Sequence, residues 1–517
     1  MKILTAAEMG EADKRSVDAG VSVHDLMEQA GAAVAAFVRE QFPDRRVIVI
    51  LAGKGNNGGD GMVAARELAE GYGDVRIALL GRESELKGDA LAAWEAAGEA
   101  AKIECESIDD LFAALEGAEL VIDAIVGTGF KPPLRGLAAS AKDILDGILL
   151  PVVAVDLPSG WDADSTEQTV DGACRANAVV SFAAPKLAHV FGHLTAPDVF
   201  GPVLVAPIGT PEEAIVSTQN LTWAGASKEI TETPRNINSN KGRFGHVLIV
   251  GGALGKAGAP SMASLAALRS GAGLVTAAVE REILPTVASV ASELMLTPLD
   301  LAATSFDSLT KGISIVGLGP GLGTTDAAKS FVERFIPAVD LPMVIDADAL
   351  NILSEGRLGL LKQGKPRTFV LTPHPGEMAR LLGVTVKEVE ADRINLARKF
   401  ATEHGVTLVL KGWRTLIAHP DGRIAVNTTG NPSMSKGGSG DILTGIVAAL
   451  VGQFPDNVAE AVETAVYLHG LAGDFACAAQ DEHTVLATDT IMHLFEAFRS
   501  RAVDGNEMTW LTGLAVR

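Results

Sequence analysis

The 517-residue sequence predicts an α/β protein of two domains, and three observations carry that expectation. Short runs of Val, Ile and Leu alternate with Gly-rich turns and with segments of helical periodicity along most of the chain. The runs are near-continuously apolar, the pattern of strands buried on both faces in parallel sheets covered by helices. At about 100 to 200 residues per domain the length asks for more than one domain. A polar segment at residues 218–241, without sustained periodicity, divides the chain into 1–220 and 235–517.

Taken in order, Thr5 with Glu8 has capping-box spacing and Ser22 with Asp25 approximates it, so two helices precede the first strand. The apolar runs 47–51, 75–80, 120–125 and 152–155 are strands of the first domain; 247–250, 313–316, 343–345, 369–371 and 406–410 are strands of the second. A helix follows the turn 52–61 through Met62, Val63, Ala64 and Leu68, and an apolar helix occupies 442–451. No repeat of 20–50 residues is visible.

Composition narrows the function classes. With 47% apolar and 21% charged residues the chain can bury ordinary cores without disulfides or structural metals. Lys and Arg number 43 against 64 Asp and Glu; the net charge of −21 disfavours nucleic acid and anionic membrane as partners. Cys105, Cys174 and Cys477 are too few and scattered for a disulfide framework, which fits a reducing compartment. The N-terminus lacks a signal-peptide core, and the weakly charged stretch 257–279 carries Arg269 and is interrupted by Gly, Ser and Pro. A cytoplasmic protein without a membrane span is expected, with a homo-oligomer allowed.

In the first domain the strand at 47–51 runs into Gly53-Lys54-Gly55-Asn56-Asn57-Gly58-Gly59-Asp60-Gly61. A Gly-rich turn at a helix N-terminus lets backbone N–H groups converge on an anion. Gly53, Gly55 and Gly58 satisfy GxGxxG, but Gly81 and Arg82 stand where the acidic ribose ligand is usual, so a tight turn is the competing reading. Asp123, before Gly127-Thr128-Gly129, and Asp156, before Leu157-Pro158-Ser159-Gly160, each follow an apolar run. Such positions lie at the carboxyl edge of a parallel sheet, facing one crevice; singly, either Asp is equally a cap.

These three loops, in this order and spacing, resemble the signature loops of NAD(P)H-hydrate epimerase domains, and the resemblance covers the first domain. It implies a Rossmann-like three-layer α/β/α fold in which Asn56, Asn57, Gly58, Gly59 and Asp60, with Gly127, Thr128, Gly129, Phe130, Lys131, Pro132 and Pro133, cradle the hydrated nucleotide. It implies that Asp156 contacts the reacting ring, and that a potassium ion is held by Asn57, Asp123 and Ser159. Asp156 is then the candidate catalytic acid/base, because reversible opening of the hydrate centre requires proton transfer at a positioned carboxylate.

In the second domain the strand at 247–250 leads into Gly251-Gly252-Ala253-Leu254-Gly255-Lys256, which fails the P-loop spacing, with Ala257 in place of the Ser/Thr that binds magnesium. The strand at 313–316 leads into Gly317-Leu318-Gly319-Pro320-Gly321-Leu322-Gly323, and that at 369–371 into Thr372-Pro373-His374-Pro375-Gly376-Glu377, where His374 is evenly a ligand contact or a satisfied loop residue. The strongest element is Ser435-Lys436-Gly437-Gly438-Ser439-Gly440-Asp441 before an apolar helix. Glycine N–H groups at a helix N-terminus make an anion hole for a transferring phosphoryl group, and Asp441 is placed to take a hydroxyl proton, unless it is simply an N-cap.

With Lys411-Gly412-Trp413-Arg414-Thr415, these loops resemble ADP-dependent NAD(P)H-hydrate dehydratase domains of the ribokinase-like superfamily, over about 270 residues from about His246 onward. Ala259, Gly323, His374 and Asp441 are then implied to contact the hydrate, and Lys411, Gly412, Trp413, Arg414, Thr415 and Gly440 to hold the adenine nucleotide, with magnesium accompanying ADP. Ser433, Ser435 and Lys436 depart from the smaller or neutral residues common in that family. Together the halves resemble a bifunctional repair isomerase and lyase acting on the hydrates of NADH and NADPH (NADHX and NADPHX). The resemblance implies that the dehydratase spends ADP to give AMP and phosphate. Two rivals remain at this point: a ribokinase-like small-molecule kinase with a nucleotide-binding regulatory domain, and a non-catalytic nucleotide sensor.

Overall fold

The computed structural model describes residues 1–195 and 201–514. The chain forms two compact units, one of Met1–Gln219 with Ala502–Arg517 and one of Asn220–Arg501. The first unit's strands are β1 (Val47–Ala52), β2 (Asp74–Leu80), β3 (Ala101–Cys105), β4 (Leu120–Ala124), β5 (Val152–Val155), β6 (Ala178–Phe182) and β7 (Val203–Ala206). The second unit holds β8 (Leu221–Trp223), β9 (His246–Val250), β10 (Leu274–Glu280), β11 (Met295–Leu299), β12 (Ile315–Leu318), β13 (Met343–Ile345), β14 (Phe369–Leu371), β15 (Thr407–Leu410), β16 (Leu416–Ala418) and β17 (Ile424–Val426). Strand β18 (Thr509–Thr512) returns to the first unit.

The first sheet has eight strands in the order β18-β7-β6-β5-β4-β1-β2-β3, parallel except for β18. Successive side chains of a strand point to opposite faces, and both faces here are buried. Ile48, Ile50 and Ala52 pack with the helices Val23–Gln41 and Asn56–Ala69, whereas Val49 and Leu51 pack with Ile108–Leu115 and Leu137–Gly147. At about 1.5–3 kcal/mol for each buried Val, Ile or Leu side chain, a continuous apolar run is what this middle layer requires. The Thr5 capping box is present, and Ser22 accepts from the Asp25 amide.

Strand order places the functional loops. The chain leaves β1 towards β2 and β3, then returns to add β4 on the other side, so the loops after β1 and β4 diverge and open a crevice. The ten-stranded second sheet, β11-β10-β9-β12-β13-β14-β15-β16-β17-β8, repeats this between β9 and β12. Its centre is covered by the helix Ser439–Gln453, buried from Ile442 to Val451 and therefore apolar all round.

The division differs from the expected boundaries at both edges. Residues 502–514 do not belong with the second unit, because β18 pairs antiparallel with β7 and carries buried Trp510 and Leu511. The polar segment 218–241 is not simply a linker: β8 pairs with β17, and Trp223 is 2% exposed and donates to Thr428 Oγ1 at 2.8 Å. One large anchor among polar neighbours has no periodicity to display. The strand expected at 313–316 is shifted to 315–318, since Gly312 (φ 76°) turns the chain immediately before it. Among the described residues no helix is long and apolar enough to cross a membrane.

Candidate active sites

The helix after β1 begins at Asn56, earlier than the expected start beyond Gly61, so Asn56 to Gly59 form its first turn; Gly59 N–H donates to the Gly55 carbonyl at 3.1 Å, and the amides of Asn56 to Gly58 precede the first intrahelical bond. Glycine is required here by close approach. A Cβ on Gly53 would stand 1.9 Å from the Ile125 carbonyl oxygen, and one on Gly58 2.0 Å from the Gly53 oxygen. The Gly-rich turn is thus packed against the loop after β4, and both edge a cavity of about 650 Å³. Asn56, Asn57, Asp60, Gly127, Thr128, Gly129, Phe130 and Asp156 line it, joined by Asp13 and Lys186. Gly58 and Gly59 are buried behind this wall; Lys131, Pro132 and Pro133 lie outside the lining, and Lys131 instead pairs with Asp162 (2.7 Å) and Asp164 (2.9 Å).

Asp156 sits at the end of β5 with φ 65°, a left-handed conformation that costs a non-glycine residue about 1–3 kcal/mol. Its carboxylate accepts Lys186 Nζ at 2.8 Å, Ser181 Oγ at 3.0 Å, the Thr128 amide at 2.9 Å and the Thr128 hydroxyl. Burial opposes the charge, but Lys186 and these donors outweigh it and hold the carboxyl well below the usual range. His189 accepts the Lys186 amide on Nδ1 (2.9 Å), so its Nε2–H donates to the Asp156 carbonyl at 2.7 Å. Burial, with Lys186 nearby, lowers that imidazole to about 4, so it stays neutral.

Beneath the cavity wall Asp123 is fully buried, accepting Ser159 Oγ at 2.6 Å and the Ser159 amide at 2.8 Å. Burial pushes its carboxyl up against those bonds, and among the described residues it has no ion-pair partner. Asn57 approaches the same loop at Gly127, and its buried Nδ2 has no hydrogen-bond partner. A buried anion without a cation, a hydroxyl and an amide are oxygen donors of the type a hard monovalent cation takes.

In the second unit the loops after β9 and β12 touch: Gly252 N–H donates to the Pro320 carbonyl at 2.9 Å, and Ala253 N–H to the Gly321 carbonyl at 2.7 Å. Gly323 N–H donates to Asp348 Oδ2 at 2.7 Å, which also takes Lys256 Nζ at 3.0 Å, while Ala259 lies in the first turn of the helix Gly258–Arg269. Beyond β13, β14 and β15 come Asp346, His374 with Glu377, and Lys411. Lys411 Nζ reaches Asp346 at 3.2 Å and Glu377 at 3.8 Å and stands 3.1 Å from where a Cβ on Gly440 would be. The N-cap of the helix Ser439–Gln453 is Gly438 (φ 99°), so Asp441 is its third residue and not its cap. Its carboxylate accepts no hydrogen bond among the described residues. Burial and then Asp346 raise its pKa to about 7, with Lys411 acting against them. Asp346, 2% exposed, is fixed by Lys411 and by Thr444 Oγ1 at 2.8 Å.

The remaining expected residues divide by environment. His374 caps the helix Pro375–Leu382, accepting Gly376 N–H on Nδ1 at 3.0 Å, which leaves Nε2 free for a ligand or for Glu377 at 3.6 Å. Arg414 (φ 52°) is buried, its guanidinium 4.3 Å from the Trp413 ring centre and donating to the Thr428 carbonyl; it braces the segment carrying Gly412, Trp413 and Thr415. Lys436, a departure from the family pattern, donates to the His483 carbonyl at 2.8 Å. Sequence reasoning missed Lys186, Asp13, Asp346 and Asp348. The signal for Lys186 was a lone Lys within the apolar stretch 178–191; for Asp346 and Asp348 it was Asp346-Ala347-Asp348 directly after β13.

Comparisons with known proteins give the chain's relatives. Residues 247–496 match the model of the NAD(P)H-hydrate dehydratase family and residues 23–188 that described as YjeF-related protein N-terminus. The chain is 40% identical over 515 residues to the bifunctional NAD(P)H-hydrate repair enzyme Nnr of Moorella thermoacetica, covering 95% of each chain. It is 36% identical to the protein of that name in Coxiella burnetii, over 94% of this chain and 97% of the relative. An ADP/ATP-dependent NAD(P)H-hydrate dehydratase from Bacillus subtilis, crystallised with ATP/Mg2+, aligns with 53% of this chain and 96% of its own at 30% identity and a TM-score of 0.46.

Proposed function

Because the chain belongs to the family of bifunctional NAD(P)H-hydrate repair enzymes, we propose that its first unit epimerises the R and S hydrates of NADH and NADPH and its second dehydrates the S hydrate at the expense of ADP. The observation that carries the dehydratase half is Asp441, an unbonded carboxylate with a pKa of about 7 in the first turn of a helix behind a glycine turn. Lys411 is the cation that acts on this carboxylate, and a general base works best with its pKa near the operating pH.

In this reading the glycine N–H groups at 437–440 and Lys411 meet the transferring phosphoryl group. The hydroxyl proton of the hydrate passes to Asp441 as the phosphoryl group moves from ADP to that oxygen, releasing AMP. Phosphate then departs with the C–O electron pair while the neighbouring ring carbon loses a proton, which restores the ring double bond. Hydroxide is a poor leaving group and phosphate a good one, which is the reason for a kinase-like scaffold. Among the described residues no three or more His, Cys, Asp or Glu are grouped as a metal site. Magnesium bound to a nucleotide takes much of its coordination from phosphate and water, and the carboxylates of Asp346, Glu377 and Asp441 around Lys411 suit a nucleotide that brings a divalent cation.

In the first unit Asp156 would lie against the reacting ring, and the first-turn N–H groups ahead of Gly59 with the loop 127–130 would hold the nucleotide. Asn57, Asp123 and Ser159 would hold a potassium ion, whose charge would offset buried Asp123. The test is to follow restoration of reduced-nucleotide absorbance from separated R and S hydrates, with ADP and then with ATP. Recovery of both epimers, with stoichiometric AMP and phosphate from ADP, is expected. Accumulation of a phosphorylated product in place of NADH would make the second unit a small-molecule kinase.

A further inference from the structure

The carboxylate expected to carry the proton in the first unit is the one whose bonds are already taken. Both Asp156 oxygens are occupied, Oδ1 by Lys186 and Ser181 and Oδ2 by the amide and hydroxyl of Thr128. Lys186 is 2% exposed and spends its other donors on Ser181 Oγ (3.0 Å) and the Phe182 carbonyl (3.2 Å). A proton arriving on Asp156 would displace one of these donors and leave a buried ammonium beside a neutral acid.

Asp60 stands on the wall of the same cavity under opposite conditions. It lies one turn into the helix Asn56–Ala69, half-buried, and accepts no hydrogen bond among the described residues. The charged groups acting on it are Asp156 at the end of β5, Asp13 on the helix Ala6–Asp18 and, against them, Lys186 beyond β6. Burial and the two like charges hold its carboxyl well above the ordinary range. Two carboxyl groups whose surroundings push them apart in this way are the usual division between a proton carrier and a permanent anion.

We propose that Asp60 is the proton carrier of the first unit's reaction and that Asp156 remains an anion throughout. This rests on the epimerase reading of that unit. The hydrate bears its hydroxyl on the carbon next to the ring nitrogen. Asp60 gives its proton to that hydroxyl as the C–O bond breaks; the electron pair leaves with oxygen as water, and the nitrogen lone pair forms a C=N bond whose positive charge Asp156 balances. Water adds to either face of that carbon, a new C–O bond forms, and the surplus proton returns to Asp60. Nothing is oxidised or reduced, and the sum is inversion at one carbon.

The experiment uses the full chain with separated hydrates. Asp60→Asn should lower kcat for epimerisation by about 10²- to 10⁴-fold while KM stays within about threefold, and it should remove a protonated-carboxyl band from the infrared spectrum of the protein at neutral pH. Asp60→Glu should recover part of the rate. Asp13→Asn removes a like charge, so the band should be lost at lower pH than in the unaltered chain; this variant serves if Asp60→Asn does not fold. In water enriched in heavy oxygen, the label should enter the hydroxyl as fast as the epimers interconvert. An Asp60→Asn chain with unaltered kcat, no protonated-carboxyl band in the difference spectrum between the unaltered chain and Asp60→Asn, or interconversion without label would overturn the proposal. An unaltered chain that dehydrates the S hydrate but never interconverts the epimers would instead overturn the epimerase reading beneath it.

Discussion

Asp346→Asn tests the electrostatics of the second site directly. Asp441 is raised to about 7 by burial and then by Asp346, with Lys411 opposing. An opposite charge within about 4–6 Å lowers a carboxyl by about 1–3 units and a like charge acts in the other sense, so removing the charge of Asp346 should lower Asp441, and a drop of about one unit serves as the working figure. The amide oxygen of the variant could still accept from Thr444, and Lys411, released from its 3.2 Å contact, would remain near Glu377 and Asp441. The base works when deprotonated, so dehydration should rise with pH to a plateau above its pKa. At pH 6 a base of pKa about 7 is about one-tenth ionised, whereas one of pKa about 6 is half ionised. The variant should therefore run about fivefold closer to its own plateau at pH 6 than the unaltered chain does. The assay is ADP-dependent restoration of NADH from the S hydrate between pH 5 and pH 8, with Asp441→Asn as control; that control should lose about 10²- to 10⁴-fold at every pH while epimerisation continues. An acid limb that stays near 7 in Asp346→Asn, or one that survives in Asp441→Asn, would refute the reasoning.

Lys186→Met breaks a buried ion pair from one side and should destabilise the first unit by about 3–5 kcal/mol in urea unfolding, with part regained when Asp156→Asn is added. Because Asp156 is depressed in the folded chain, its contribution to stability is present above the unfolded carboxylate range and lost as pH falls through the folded value; in Lys186→Met that loss should begin at higher pH. Asp123→Ala should remove any potassium stimulation of epimerisation; a lowered melting temperature with the potassium response intact would make Asp123 a turn residue only. A fragment of residues 220–501 should fold and dehydrate the S hydrate, whereas one of 235–517 loses β8 and its buried Trp223, at about 3–5 kcal/mol for loss of that side chain; equal melting temperatures would contradict the pairing of β8 with β17.

The class, the mainly parallel sheets and the glycine-rich loops were legible because each leaves a local pattern. A strand buried on both faces must be apolar at every position, so 47–51 and 247–250 announce themselves. A loop that packs backbone on backbone must be glycine, as at Gly53 and Gly58. Edge strands have no such signature: β3 is Ala101-Lys102-Ile103-Glu104-Cys105, with only Cys105 buried. Strand β8 is three residues long and depends on a partner far along the chain, β17.

The sequence pointed to Asp123, Asp156 and Asp441, since an acid at the end of a buried strand or after a glycine turn lies at a sheet's carboxyl edge. What state each holds was decided only by tertiary structure. Lys186 is 30 residues from Asp156 and Asp346 is 65 from Lys411, yet these contacts set which carboxyl stays charged and which holds a proton. The same applies to the chain's end, where β18 joins β7 across more than 300 residues of sequence. Burial and charge act through space at distances of a few ångströms, and proximity of that kind exists only once the chain has folded.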